Sequence, residues 1–391
     1  MLFLSGIYHS FRREVEEIAN NKLYLTSLII LPLIMLLLFT LMFSHGSIEQ
    51  LPIVVVDNDH SSMSRQLISM MQATQGVGDI TETQSTIDAN NLVRRGDVRA
   101  MVVIPENFEH NIVSGKITSV ETSLSGANLS TAGILQRDIQ QVVRSLSSGI
   151  AISKMQSMGA LVDQALANVM PINVQIHTIS NPYMNYGYYL APMFIFVGIA
   201  LFVTLNTIYS IGRELRYATA GEWLKCASNS LLAAIIGKLL PITITMMIMM
   251  GLAFIILFVV MGMEAMCSWT TLGISSLLLI IAYQSIATLI IAVTANLRLA
   301  LSLGGGYAVM AFTFSGITFP TISMYGIAQF IAKLFPLSYF SDIFITQAVR
   351  GASLNYSLDS LVWLLGFSIL GVIVWQRLSR VVRMEQYWNR D

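Results

Sequence analysis

Charge is what this chain is poorest in: only 11% of its 391 residues are Asp, Glu, Lys or Arg, against 54% hydrophobic, and the mean hydropathy is +0.66. A folded chain of that composition cannot cover its surface with polar groups, which excludes a set of water-soluble domains and implies a membrane protein. The 22 basic and 22 acidic residues cancel, so no basic field is present to attract nucleic acid, and the placement of charge becomes the informative quantity. Only two cysteines occur, Cys226 and Cys267, which excludes a disulfide framework and any paired-cysteine zinc or redox motif. The histidines are few and scattered, and no metal site is assigned. A nucleotide-binding phosphate loop is also missing. The segment IIGKLLP contains Gly237 and Lys238, but it lacks the upstream glycine and the following Ser or Thr that cradle phosphates and magnesium.

Long charge-free runs are abundant. About 20 apolar residues cross a hydrocarbon core roughly 30 Å thick, and six runs meet that length, placing spans at 23–44, 188–212, 237–263, 270–295, 299–318 and 358–377. The first run has no small-residue cleavage site at its end, so it is expected to remain as a span. Lys and Arg in the short segments set the orientation. With both termini in the cytoplasm, the inner segments hold twelve of them and the short outer ones only Lys333 and Arg350, in accord with the positive-inside rule. The large segment 45–187 is then external, where loops that long translocate largely regardless of charge. Residues 378–391 form a cytoplasmic tail, and Cys226 and Cys267 are expected on opposite sides of the membrane.

Residues 1–22 carry Leu4, Ile7, Tyr8, Phe11, Val15 and Ile18 at helical spacing, with Arg12, Arg13, Glu16 and Glu17 on the remaining face. This pattern predicts an interfacial helix that lies on the membrane or offers a platform to a cytoplasmic partner. The external segment opens with LPIVVVDNDHSSMSRQLISMM, a buried strand, a turn and a helix. VRAMVVIPENF adds a second strand followed by a helix after Pro105, and KITSVETSLSG a third strand. Together they predict an extracytoplasmic α/β domain. Asp57 and Asp59 in the first turn read as caps rather than metal ligands. Apolar residues at three- and four-residue steps from Leu129 to Val169 predict one long helix, or two halves hinged near Gly149. A continuous helix of about 40 residues would reach roughly 60 Å at 1.5 Å per residue, long enough to pack against a second copy.

Two stretches break the apolar background. Residues 213–236 concentrate Arg213, Glu214, Arg216, Glu222 and Lys225 between the second and third spans. Residues 325–349 hold two apolar pieces of about ten residues on either side of Pro336, too short to cross, which predicts a re-entrant hairpin in the outer leaflet. Its ions Lys333 and Asp342, with Arg350 just beyond, are candidates for lining a pathway.

Six spans, a large domain after the first, a charged loop after the second and a hairpin before the last together resemble the membrane permease of ABC-2 type transporters, in the subfamily with a large external domain between the first and second spans. The motifs agree in order. Arg213 and Glu214 resemble the family's Arg-Glu pair, Thr219 its threonine, Glu222 and Leu224 its Glu-x-Leu, and Gly237, Lys238 and Pro241 its Gly-Lys-x-x-Pro. Where the family often has Gly-Thr, this chain has Ala218 before Thr219. VVVDNDHSSMSRQL and RRGDVRAMVVIPENF are similar to the family's external-domain motifs, and FPLSYF followed by VRGA to its hairpin signature.

The resemblance implies a pore without enzymatic activity. ATP and magnesium would be held by separate cytoplasmic ABC ATPase subunits, and a second permease copy, identical or paralogous, would complete a dimer in the bacterial inner membrane. A membrane-anchored periplasmic adaptor is a further partner of such assemblies. The cargo implied is a hydrophobic or amphipathic molecule, such as a drug, a lipid or a lipid-linked compound, exported outward. Arg213, Glu214, Thr219, Glu222, Trp223, Leu224 and Lys225 would form the ATPase-coupling region, with Trp223 and the nearby ions projecting beyond the lipid as the contact. Lys333, Pro336, Asp342 and Arg350 would mark the hairpin and pathway. Truncating Glu222 and Trp223 together should then weaken ATPase binding and leave the fold intact. The alternative is an envelope receptor or scaffold whose outer domain binds a ligand without transport; the charged coupling motif speaks against it.

Overall fold

The computed structural model describes residues 2–43, 49–159, 161, 185–266, 268–316 and 321–389. The chain divides into two compact units, one made of Met1–Gly46 with Thr178–Asp391, the other of Ser47–His177.

The first unit starts with α1 (Leu2–Asn20). Asn21 then ends the helix and opens the next, its side chain accepting hydrogen bonds from the backbone N–H groups of Leu23 and Tyr24. The following helix, α2 (Lys22–Met42), is the first of six helices among the described residues that are long and apolar enough to cross a membrane.

The second unit contains β1 (Leu51–Asp57), α3 (Ser62–Gln72), β2 (Val77–Glu82), α4 (Thr86–Arg95), β3 (Ala100–Ile104), α5 (Phe108–Val113), β4 (Glu121–Leu124) and α6 (Leu129–Ser157). The sheet runs β2-β1-β3-β4, with β1 parallel to β2 and β3, and β4 antiparallel to β3. Strand β1 reads as an unbroken apolar run because both of its faces are covered. Ile53 and Val55 pack with Leu67, Met71, Leu135 and Ile139 from α3 and α6, whereas Val54 and Val56 pack with Ala89 of α4. Three strands are expected from the sequence, and β2 is the fourth. Only Val77 of that edge strand is fully buried, so its polar residues carry almost no hydrophobic pattern. Helix α6 runs through Gly149 without a hinge; Val162, Leu166 and Val169 of the expected longer helix lie outside the described residues.

The first unit resumes with α7 (Tyr186–Arg216), the short α8 (Ala220–Cys226), α9 (Leu231–Val260), α10 (Trp269–Thr294) and α11 (Leu297–Phe314). It continues with α12 (Gly326–Ala332), α13 (Pro336–Ile343), α14 (Leu358–Ile373) and α15 (Trp375–Arg383). Helices α2, α7, α9, α10, α11 and α14 supply the six candidate spans. Helix α10 is the most enclosed and packs against α7, α13 and α14, while α11 lies along α7. The pieces on either side of Pro336 form two short helices, with Pro336 occupying the first turn of α13, where its missing N–H costs nothing. The rings of Phe340 and Phe344 meet Phe196 of α7 edge-on at 4.9 Å each, so α13 is part of the bundle core. The expected last span stops short: α14 ends at Ile373, and α15 is a separate amphipathic helix with Leu378, Val381 and Val382 buried and Arg377, Arg380 and Arg383 exposed. Cys267 lies outside the described residues; Cys226 is exposed.

Helix α1 packs along α9 through small and polar residues. Its apolar residues Leu4 and Tyr8 are 72% and 60% exposed, while Gly6, Ser10, Glu14 and Ile18 point inward. The contact is close because Gly237 has no side chain. A Cβ there would lie 2.5 Å from the Ile7 carbonyl oxygen and 2.6 Å from the Ser10 Cβ. Gly237→Ala is therefore expected to force α1 from α9 and to cost about 1–3 kcal/mol, the range for overpacking. Gly251→Ala in the same helix meets nothing within 4 Å and should leave the thermal unfolding temperature unchanged. Equal effects of the two substitutions would contradict the close approach.

Candidate functional site

Polar residues on the inner face of α1 meet the end of α7 and the start of α9, and there they build a buried ion cluster. Lys238 of α9 is 2% exposed. Its ammonium donates to Glu14 Oε2 and, at 2.8 Å, to Glu214 Oε1. The Glu14 carboxylate also accepts from the hydroxyls of Tyr24 at 2.7 Å and Ser210 at 2.6 Å. Glu214 accepts from Arg13 at 3.0 Å and from the Thr219 hydroxyl. Two carboxylates thus face two cations, and every bond is charge-assisted. At the edge of the cluster Arg213 pairs with the half-buried Glu17. A small cavity of about 60 Å³ adjoins it, lined among others by Glu14, Arg213, Glu214, Thr219 and Lys238.

The local backbone explains why these side chains converge. Helix α7 ends in a Schellman motif, with Thr219 N–H donating to the Glu214 carbonyl and Ala218 N–H to that of Leu215. That motif needs a left-handed residue, and Ala218 sits there at φ 57°, in the position where the resembled family often has glycine. The turn brings Thr219 back onto Glu214 and starts α8.

Helix α8 divides the expected coupling residues into two groups. Glu222 and Lys225 are exposed. Trp223, expected to project, is 1% exposed: its indole N–H donates to Ser10 Oγ at 3.0 Å, Ser10 passes a hydrogen bond to the Ala234 carbonyl, and the Lys238 ammonium lies 5.0 Å from the ring centre. Leu224 is buried in the same cluster, with Leu378, Val381 and Val382 of α15. Trp223 is thus a keystone of packing, and truncating it would not spare the fold. Arg13, Glu14 and Lys238 are the site residues that reading the charged loop alone does not assign. The sequence signal is the Gly6, Ser10, Glu14 stripe at i, i+4, i+8, which marks a helix face small enough for close packing and polar enough to carry an ion.

The second predicted group is only partly brought together. Lys333, Asp342 and Ser360 line a cavity of about 410 Å³ beside α12 and α13, and the Ser360 hydroxyl donates to the Asp342 carboxylate at 2.7 Å. Pro336 is buried in packing, and Arg350 follows the last turn away from the cavity. In the α/β unit, Asp57 Oδ1 accepts from the N–H groups of Asp59 and His60, and Asp59 Oδ2 from that of Glu109. The pair serves as caps. Burial pushes the Asp59 carboxyl up, but hydrogen bonds from Ser61 and from the backbone N–H groups of Glu109 and Phe108 outweigh it and hold the group below its ordinary value.

Among known families, the one described as ABC-2 family transporter protein matches residues 22–375. No curated protein matches the chain.

Removing one partner from a buried ion cluster leaves an uncompensated charge, which costs about 3–5 kcal/mol. Lys238→Met should therefore lower the thermal unfolding temperature sharply, and adding Glu14→Gln should recover part of the loss by restoring neutrality. Additive losses would show that Lys238 and Glu14 do not interact. Ala218→Gly is expected to stabilise the protein by about 1 kcal/mol, since left-handed alanine is strained by about 1–2 kcal/mol; a loss of stability would place the turn in another conformation.

Proposed function

The chain belongs to the ABC-2 family of transporter proteins, non-enzymatic membrane components of ABC transporters, and we propose that it is the permease subunit of an ATP-driven exporter whose motor grips the exposed face of α8. The observation that carries this reading is the ion cluster. It ties α1, the end of α7, α8 and the start of α9 into one body, so a push on α8 is delivered to two spans at once instead of being absorbed by a loose loop. Glu222 and Lys225 are the exposed ions of that helix, opposite the buried Trp223 and Leu224.

In the proposed orientation this end faces the cytoplasm, the α/β unit lies outside, and α12 with α13 enters the outer leaflet. The positive-inside distribution supports this, as do Arg377, Arg380 and Arg383, exposed on α15. The outward Leu4 and Tyr8 of α1 suit a helix lying in the lipid interface. ATP and magnesium belong to the partner ATPase in this scheme, and a second permease copy completes the pathway.

The proposed cargo is hydrophobic or amphipathic. A cleft of about 420 Å³ among α9, α10 and α14 supports that class, since it is lined by Ile235, Leu239 and Ile281 and by Gln284, whose amide hydrogen-bonds Thr243 at 3.0 Å. The cavity holding Lys333 and Asp342 offers a polar stage on the proposed outward route.

The test is co-purification with the partner ATPase and ATP hydrolysis in lipid discs. Glu222→Lys with Lys225→Glu should leave the isolated permease as stable as the natural chain and reduce complex formation at least tenfold, about 1.4 kcal/mol. Unchanged binding and hydrolysis would remove α8 as the contact. Trp223→Ala should instead lower the stability of the isolated permease by about 3–5 kcal/mol, as for other buried aromatic truncations.

A further inference from the structure

The α/β unit holds a cavity of about 460 Å³ between α3, α5 and α6. Its wall is apolar, made by Leu67, Phe108, Ile112, Val143, Leu146 and Ile150. Among the described residues, the charged ones that line it are two lysines, Lys116 and Lys154, and none is a carboxylate. Neither lysine makes an ion pair among the described residues.

Both lysines are exposed, and the local fold sets them on either side of Gly115. Helix α5 ends with Gly115 at φ +78°, and the Lys116 N–H returns to the Asn111 carbonyl at 2.8 Å while the Gly115 N–H bonds that of Ile112. This cap fixes the start of the loop against the helix. From the other side, α6 brings the Lys154 ammonium within 3.4 Å of where a Gly115 Cβ would lie. Two cations therefore stand beside one loop at an apolar cavity. Ile117, also in the lining, is fully exposed, an apolar lip beside the charged entrance.

We propose that this cavity binds a single-chain fatty carboxylate, its hydrocarbon among the apolar side chains and its acid group between Lys116 and Lys154. The size lies within the range of small-molecule sites, about 300–1,000 Å³, which are mostly apolar with a few convergent polar groups. Charge complementarity selects the head: two ammonium groups, with no carboxylate among the described lining residues, favour an anion over a neutral alcohol or an amine. The inference rests on the α/β unit alone and is independent of the transport reading.

The full-length protein in neutral lipid discs, without any ATPase, is irradiated with a diazirine-bearing palmitate, and the labelled peptides are identified by mass spectrometry. Saturable labelling is expected in 108–118 and 143–154, suppressed by palmitate and not by hexadecanol. Lys116→Glu with Lys154→Glu should reduce labelling about tenfold through the lost charge-assisted bonds. Ser147→Trp, which fills the cavity from α6, should abolish it with both lysines in place. Labelling that survives either change, that hexadecanol suppresses equally, or that falls only in the spans would overturn the proposal. Since no ATPase is present, a negative result leaves the exporter reading standing.

Discussion

Lys238 lies among apolar helices with almost no exposure, and the arrangement around it follows from keeping that charge compensated. Its ammonium needs acceptors from beyond its own helix, and Glu14 and Glu214 supply them from α1 and α7. Those carboxylates in turn require donors, which Tyr24, Ser210, Arg13 and Thr219 provide. Satisfying one buried ion therefore fixes the first helix, the entry to the first span, the end of the second and the start of the third. Gly237, one residue before Lys238, lets α1 approach closely enough to deliver Glu14. Buried ion clusters contribute little net stability against a hydrophobic replacement, but breaking them is costly. In the proposed exporter, that asymmetry suits a joint that holds its geometry under load.

The joint gives α8 its place in the proposed coupling. A seven-residue helix has negligible stability alone, yet Trp223 anchors this one through Ser10 and through the face of its ring toward Lys238. From above, α15 covers it with Leu378 and Val382, and Trp388 packs at Gly221. What remains outside is a short charged face carrying Glu222 and Lys225. In the proposed exporter, force applied to that face has a rigid route into α7 and α9.

Much of this was legible in the sequence because the bilayer imposes a length and polarity rule that needs no tertiary information. The six spans, the break at Pro336 and the buried strand LPIVVVD with its Asp and Ser caps all follow from local pattern. Less legible were features that depend on which face packs. Strand β2 is polar and sits at a sheet edge, so hydrophobic periodicity cannot find it. The outward Leu4 and Tyr8 of α1 suit the interfacial helix read from the sequence, but the packing of its small residues and Glu14 on α9 is set by Gly237, more than 200 residues away. Trp223 looks like an interface aromatic in sequence, and its burial depends on Ser10, 213 residues earlier in the chain, and on Lys238 of the next helix. The Arg213 and Glu214 pair was visible as a motif, but its partners Glu17, Arg13 and Lys238 were visible only in three dimensions.

The central claim, that α1 and α8 move as one body through the ion cluster, is open to a direct distance measurement. Spin labels at Glu16→Cys and at the native, exposed Cys226, with Cys267 replaced by serine, report the separation of the two helices in the assembled transporter. A single narrow distance that is the same with and without ATP, and that broadens in Lys238→Met, is the predicted result. A distance that shifts with nucleotide, or that stays narrow when Lys238 is removed, would contradict the account.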